Sequence, residues 1–428
     1  MGFAQGVSGL NAAASNLDVI GNNIANSGTI GFKSGSVQFS DVYAGSRAGL
    51  GTQVAGVFQN FSSGAVQSST RALDVAIVDG EGFFRLASPG GEIAYSRNGQ
   101  FDVDKKGYIV NASGLRLTGY QVAANGTVAG GSPTALQLPT GAMAPAATQD
   151  VAAQFNIDSR GTVPAVTPFD ANNSASYNYS NTVTIFDSLG NSHELSTFFV
   201  KTGVNAWSSY ATADGYPLTA AGAMVAPPTG AGPPTVANSG ALADGKLGFD
   251  ANGLLTVAAP STLVGGKMSL SGLDFANGSS PMNFTVDVAG TTQFGTANDV
   301  KKLTQDGYKA GQLTTFAINQ DGTVTGKYSN EQSKALGQVV LSSFVNPGGL
   351  QPKGDNVWTE TAASGQPLTG TSGSGTKLGA LVGGALEASN VDLTAELVNL
   401  IIAQRTYQAN AQTVKTQDQV VQALMNMR

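Results

Sequence analysis

Residues 386–428, LEASNVDLTAELVNLIIAQRTYQANAQTVKTQDQVVQALMNMR, set the terms for reading the rest of the chain. Leu393, Leu397, Leu400, Gln404, Tyr407, Ala411, Val414, Asp418, Val421 and Met425 follow at steps of +4 and +3, the a/d seam of a coiled coil. Ser389 with Asp392 reads as a capping box. Glu387, Asp392 and Glu396 come early and Arg405, Lys415 and Arg428 late, as a helix dipole prefers. At the other end, Phe3, Val7, Leu10, Ala14, Leu17, Gly21 and Ile24 keep the same rhythm, and Asn26-Ser27-Gly28 stops it. Two heptad helices at opposite ends of one chain suggest that the ends meet; the alternative is that each packs on its own domain. Both seams are weak. Gly6, Gly9 and Gly21 each cost about 1 kcal/mol relative to Ala, and Ala14, Gly21, Gln404 and Asp418 occupy seam positions. Such helices are marginal alone in water, which points to assembly.

Between the helices the sequence reads as β structure. FDVDKKGYIV from Phe101, FNIDSRGTV from Phe155, IFDSLGN from Ile185, FDANGLLTV from Phe249 and INQDGTVTG from Ile318 each place Asp or Asn before a Gly. These residues tolerate positive φ in a hairpin turn. Low-complexity stretches near 128–150, 218–240 and 368–379 mark a domain opening, a mobile loop and a linker, in that order.

Composition narrows the chemistry. The 428 residues include no Cys, so disulfides, thiolate zinc sites and cysteine nucleophiles are excluded. One histidine, His193, rules out a multi-His metal site. A net charge of −6 without basic runs argues against nucleic acid as the main partner. No 18-residue apolar run suggests membrane insertion, and the N-terminal segment lacks the pattern of a cleaved secretory signal. Asp102-Val-Asp104-Lys-Lys-Gly107 begins like a calcium loop, but Lys106 and Ser113 stand where ligands are needed; a hairpin turn fits better. Gly28-Thr-Ile-Gly31-Phe-Lys33-Ser34 has the wrong spacing for a phosphate loop and follows a helix. His193 beside Glu194 reads as a strand residue after a turn. No catalytic residue, cofactor site or metal site is assigned, and the chain reads as a non-enzyme.

Two segments carry a family resemblance. LNAAASNLDVIGNNIANSGTIGFKS, Leu10 to Ser34, and the closing segment from Leu386 resemble the paired terminal signatures of the bacterial flagellar rod and hook axial family. The inserted segments SYNYSNTVTIFDSLGNSHELSTFFVK and GKLGFDANGLLT resemble a β domain that its hook members carry and its shorter rod members lack. The resemblance implies a multidomain, mainly β protein whose N- and C-terminal α-helices pair as a coiled coil. The expected order is an inner-tube helix (1–27), a connecting hairpin segment (28–71) and the first half of a β domain (72–145). An inserted β domain (146–302), the returning half (303–366), a linker (367–385) and a second inner-tube helix (386–428) follow.

It further implies a homopolymer of many copies forming a bendable tube that transmits torque from rod to filament. The implied partners are the rod, hook cap and hook–filament junction proteins and the type III export apparatus. The implied place is the extracellular hook, reached without a cleaved signal. Phe3, Val7, Leu10, Leu17, Ile24, Leu393, Leu397, Leu400, Tyr407, Val414 and Val421 would be the self-assembly residues. A straight distal rod protein is the nearest alternative, and a secreted β-rich adhesin a more distant one.

Overall fold

The computed structural model describes residues 2–42, 51–123, 126–139, 141–224, 242–243, 245–257, 261–373 and 377–426. Two long helices, α1 (Gly2–Ala25) and α2 (Leu393–Asn426), flank a chain that is otherwise mainly strand. Among the described residues, no helix is long and apolar enough to cross a membrane. The mobile loop expected over 218–240 lies outside the described residues from 225 onward.

The chain forms two compact units, one of residues 1–140 with 313–428, the other of 141–312. In the first, strands from both sides of the insertion interleave. Ser333–Ser343 pairs antiparallel with Arg116–Gln121 and with Phe83–Ala87, so the returning chain closes the sheet that the outgoing chain began. Phe84, Leu86, Leu117, Val339 and Leu341 are buried at that junction. The segment expected as a linker is structured instead. Ala380–Gly383 pairs with β4 (Val75–Val78); Ala385–Glu387, which takes in the start expected for the terminal helix at 386, pairs with β3 (Val66–Ser68), and α2 begins only at Leu393. The reason is local: only residues 372–376 are truly small and polar, whereas Leu378, Leu381, Ala385 and Leu386 are buried apolar side chains. Separate from these pairings stands a two-stranded hairpin, β1 (Gly35–Asp41) with β2 (Thr52–Gln59).

The second unit packs a four-stranded and a six-stranded sheet around Phe155, Phe199, Trp207, Met268 and Phe284. Its hairpins, like those of the first unit, turn by one repeated device. Asp104, Asn111, Asp187 and Asp250 each accept, through Oδ1, the main-chain N–H groups two and four residues on. The glycine three residues on has φ between 76° and 86°, which a side chain would oppose. FNIDSRGTV and INQDGTVTG depart from it: Asp158 turns to the Arg160 main chain and guanidinium, and Asp321 accepts from the Thr323 N–H and hydroxyl.

His193 lies in the strand Ser192–Gly203, but its side chain does not pair with Glu194. Its Nδ1 is 2.6 Å from Asp214 Oδ2, its Nε2 is 3.3 Å from Asp187 Oδ2, and its ring stacks on Phe275. Asp187 Oδ2 also accepts from Asn191 and from Asn277 in the loop between Lys267–Leu273 and Met282–Asp287. One carboxylate thus joins the turn of one sheet to a loop of the other. Burial alone would raise the Asp187 carboxyl, but the hydrogen bonds from Asn191, Asn277 and His193 outweigh it and hold it well below the usual carboxylate range. Its stabilising effect is therefore complete above the unfolded value near about 3.9 and disappears as pH falls toward the depressed one. Asp187→Ala leaves several buried donors without an acceptor and is expected to cost this unit about 3 kcal/mol at neutral pH. Urea unfolding followed by Trp207 fluorescence in a Trp358→Phe background tests it, and a loss below about 0.5 kcal/mol would refute the tie.

Candidate assembly site

The ends of the chain meet at a buried cluster of charges. Lys33, just beyond α1, and Glu387, just before α2, are both fully buried, with Lys33 Nζ 2.6 Å from Glu387 Oε1. The ammonium also donates to the Ser62 carbonyl at 2.7 Å, and the same carboxylate oxygen accepts the Gly64 N–H at 2.9 Å. Arg97, from the β core, reaches within 3.6 Å of Glu387 Oε2. Burial pushes the Lys33 ammonium below its ordinary value, and Glu387 opposes that shift; burial also lowers Arg97. Around the cluster, Gly31 N–H donates to the Glu387 carbonyl and Asn356 Nδ2 to the Ile30 carbonyl. Gly31 has φ +70°, and a Cβ there would stand 2.6 Å from the Asn98 nitrogen, so the position requires glycine.

From this cluster the helices run antiparallel. Near the cluster, Asn23 Nδ2 donates to Glu396 Oε1 at 3.3 Å; at the far end a Cβ on Gly6 would stand 2.9 Å from Val414 Cγ2, and one on Gly9 equally close to Asn410 Oδ1. The absent side chains let the backbones approach. Asn23 also bonds both the N–H and the carbonyl of Gly35, fixing α1 to β1. Asp392 is itself the N-cap of α2, accepting from Thr394 and Ala395 N–H groups. The expected capping box is therefore corrected: Ser389 lies too early and accepts from Val391.

The covered face of α1 comprises Gly6, Ala13, Ile20 and Asn23, with Ala12 beside them. The seam expected from spacing lies one residue later, about 100° around the helix. Val7, Leu10, Leu17 and Ile24 are half-buried on that flank and Phe3 is exposed. On α2 the covered line is Glu396, Leu400, Ala403, Asn410, Val414 and Gln417. Of the expected residues, Leu400 and Val414 share it, while Leu393, Leu397, Tyr407 and Val421 are exposed. Val421 lies on the stretch where α2, 34 residues long, outruns the 24 residues of α1.

The opposite side of α2 is also apolar. Leu397, Val398 and Ile401 form a stripe there, each about half exposed, with Ile402 at its edge, where it also lines the groove between α1, α2 and the β1–β2 hairpin. The β1–β2 hairpin exposes Phe39, Val54, Val57 and Phe58 in the same way. Two-stranded hairpins and contiguous exposed apolar rows both want a partner. Asn23, Lys33, Arg97, Glu387 and Asn390, whose amide spans Ser34 and the Asn60 carbonyl, were not singled out from sequence as assembly residues. Their polarity hides them from a hydrophobic-period search.

Comparison with known proteins agrees with this layout. Family models match in four stretches: "Flagella basal body rod protein" at 5–33, "Flagellar hook protein FlgE/F/G D1 domain" at 77–165, "Flagellar basal body protein FlaE D2 domain" at 156–308 and "Flagellar basal body rod FlgEFG protein C-terminal" at 382–427. The chain is 48% identical to the flagellar hook protein FlgE of Escherichia coli (strain K12), covering 100% of both chains. It is 46% identical to that of Salmonella typhimurium, again over 100% of both. Identity to that of Borreliella burgdorferi is 32%, over 99% of this chain and 98% of the other.

Lys33→Met strands the buried Glu387 carboxylate and is expected to destabilise the first unit by about 3–5 kcal/mol. Lys353→Met, which breaks an exposed pair with Glu92, should cost less than about 1 kcal/mol. Trp358 fluorescence in a Trp207→Phe background reads both, and equal losses would show that the cluster is not special.

Proposed function

The chain belongs to the flagellar hook protein family and its role is structural; from that premise we propose that many copies polymerise into a tube whose inner wall is the layer of α1 and α2. The observation that carries this reading is the second apolar face of α2. Its covered side serves the contact with α1, leaving Leu397, Val398, Ile401 and Ile402 for neighbouring copies. Fully burying such a side chain is worth about 1.5–3 kcal/mol, so covering the exposed half gains about 1 kcal/mol per residue. Phe3, Val7, Leu10, Leu17, Ile24, Leu393, Leu400, Tyr407, Val414 and Val421 complete the proposed self-assembly set. The α1–α2 pair is proposed to act as a coiled coil within that layer, and the β1–β2 hairpin to lie against adjacent subunits.

The β structure of both units is proposed to lie outside the helix layer. A curved, rotating tube lengthens and shortens each outer contact once per turn. Charged residues make up only 12% of the chain, and neutral Ser, Thr, Asn and Gly surfaces exchange hydrogen bonds with water at little net cost. Such a surface slides, while the helix layer holds. The partners proposed are the rod below, the junction and filament above, the cap during growth and the type III export path that delivers the chain to the hook outside the cell.

Ile401→Asp is expected to raise the concentration needed for polymerisation at least about 100-fold, because a carboxylate would be buried without a partner. Both β units should stay folded by circular dichroism; wild-type tubes in electron micrographs would overturn the assignment of this face. Deleting residues 141–312 should leave tubes of altered stiffness, and loss of all assembly would refute the division between inner and outer layers.

A further inference from the structure

Between α1, the β1–β2 hairpin and α2 lies a groove of about 720 Å³, with Gly9, Ala12 and Ala13 among its lining. Glu396 also lines it. One oxygen of that carboxylate accepts from Asn23; the other, Oε2, is shielded from solvent and has no hydrogen-bond partner among the described residues. A shielded carboxylate oxygen without a donor is costly, and its natural complement is a cation carrying N–H groups.

The chain itself supplies one. The described cations of α2 are Arg405 and Lys415, both exposed and in no ion pair among the described residues. Lys415 has Asp418 three residues on, a counter-charge on its own helix. Arg405 has none: its neighbours at three and four residues are Ile401, Ile402, Gln408 and Ala409. It sits inside the exposed apolar stripe, and its planar guanidinium suits a carboxylate. Nine residues separate it from Glu396, two and a half turns, so acceptor and donor stand on opposite sides of α2 about 13.5 Å apart along the axis.

We propose that Arg405 of one copy enters the groove of a second copy and binds the carboxylate of the half-buried Glu396, which turns Oε2 into the groove to meet it, with the apolar stripe around Arg405 covering the groove mouth. Because the joining sites differ, the contact is heterologous, and such contacts propagate open helical arrays when rotation does not close a ring. The proposal rests on the polymerising role argued above and adds a specific pair and register to it. Asp18, Asp392 and Asp418 are the competing carboxylates of the helix layer. Asp392 already caps α2, while Asp18 and Asp418 are exposed to water.

The Cys-free sequence makes the test direct. A Glu396→Cys, Arg405→Cys chain is copolymerised with wild type and treated with a bismaleimide too short to span 13.5 Å around a helix, so every crosslink joins two copies. The expected result is a ladder of dimers and higher oligomers on denaturing gels, with each single-Cys chain giving none. Tubes that form without a ladder overturn the pairing; absence of tubes from the wild-type chain itself would instead overturn the polymerising role. In a second arm, Glu396→Arg and Arg405→Glu should each raise the concentration needed for assembly at least tenfold, and the double exchange should recover most of it. A double exchange as defective as the worse single variant also refutes the pair.

Discussion

Lys33 and Glu387 are 354 residues apart in sequence and 2.6 Å apart in the fold. All that the two ends do depends on that contact. Burying an ammonium and a carboxylate costs several kcal/mol per ion before their attraction is counted. The site offsets part of that cost by sharing one carboxylate oxygen between Lys33 and the Gly64 N–H; Arg97 faces the other oxygen at 3.6 Å, an electrostatic contact without a hydrogen bond. An apolar plug of similar volume would hold the strands together as firmly, but it would tolerate slippage. A carboxylate that must meet an ammonium and a main-chain N–H admits one register. The exits toward α1 and α2 are therefore set at fixed angles before either helix begins, and the contact lies within the same unit as the β core that anchors it.

The helices inherit their pairing from this joint more than from their own seam, which explains what the sequence disclosed and what it concealed. Their existence is legible, because apolar residues recur at helical spacing, and so is the stop of α1 at Asn26-Ser27-Gly28; the start of α2 is not, since Asp392 rather than Ser389 caps it. Their phase was not. A heptad search rewards Leu10, Leu17 and Ile24, whereas α1 turns Gly6, Ala13, Ile20 and Asn23 inward. Glycine carries no hydrophobic signal, and its value at Gly6 and Gly9 lies in what is missing: space for Val414 and Asn410. Likewise residues 367–385 read as a linker yet hold the strand 380–383 and open the strand 385–387; glycine-rich composition nearby masks the buried Leu378, Leu381 and Ala385. The turns were easier to see. Asp or Asn three residues before Gly is a local code, and local codes survive without knowledge of tertiary contacts.

Placement of charge separates the parts of the molecule that must hold from those that must move. Within the described residues the fully buried ion pair lies at the joint of the ends, and the Asp187–His193 tie lies inside the second unit. Exposed pairs such as Lys353–Glu92 contribute little. Directional, desolvated contacts thus lock each unit internally. Outer surfaces built from small neutral polar groups exchange one partner for another with little penalty. Units that are each locked internally and undemanding toward their outer neighbours are what repeated bending of a polymer requires.

The two-sided character of α2 extends the same logic to growth. A helix with one apolar face finishes its work by folding; a helix with two must find another molecule. If both faces were strongly apolar, the monomer would associate at random, since hydrophobic contact has no preferred direction. Here the inner face is built from Ala403, Leu400 and Val414 with Asn410 and Glu396 among them, and the outer face is interrupted by Arg405. Each charge penalises every arrangement that buries it unpaired, and relieves that penalty only in the arrangement that supplies its complement. Apolar area makes the contact favourable, and charge makes it singular. A tube in which every subunit must occupy an equivalent place needs both.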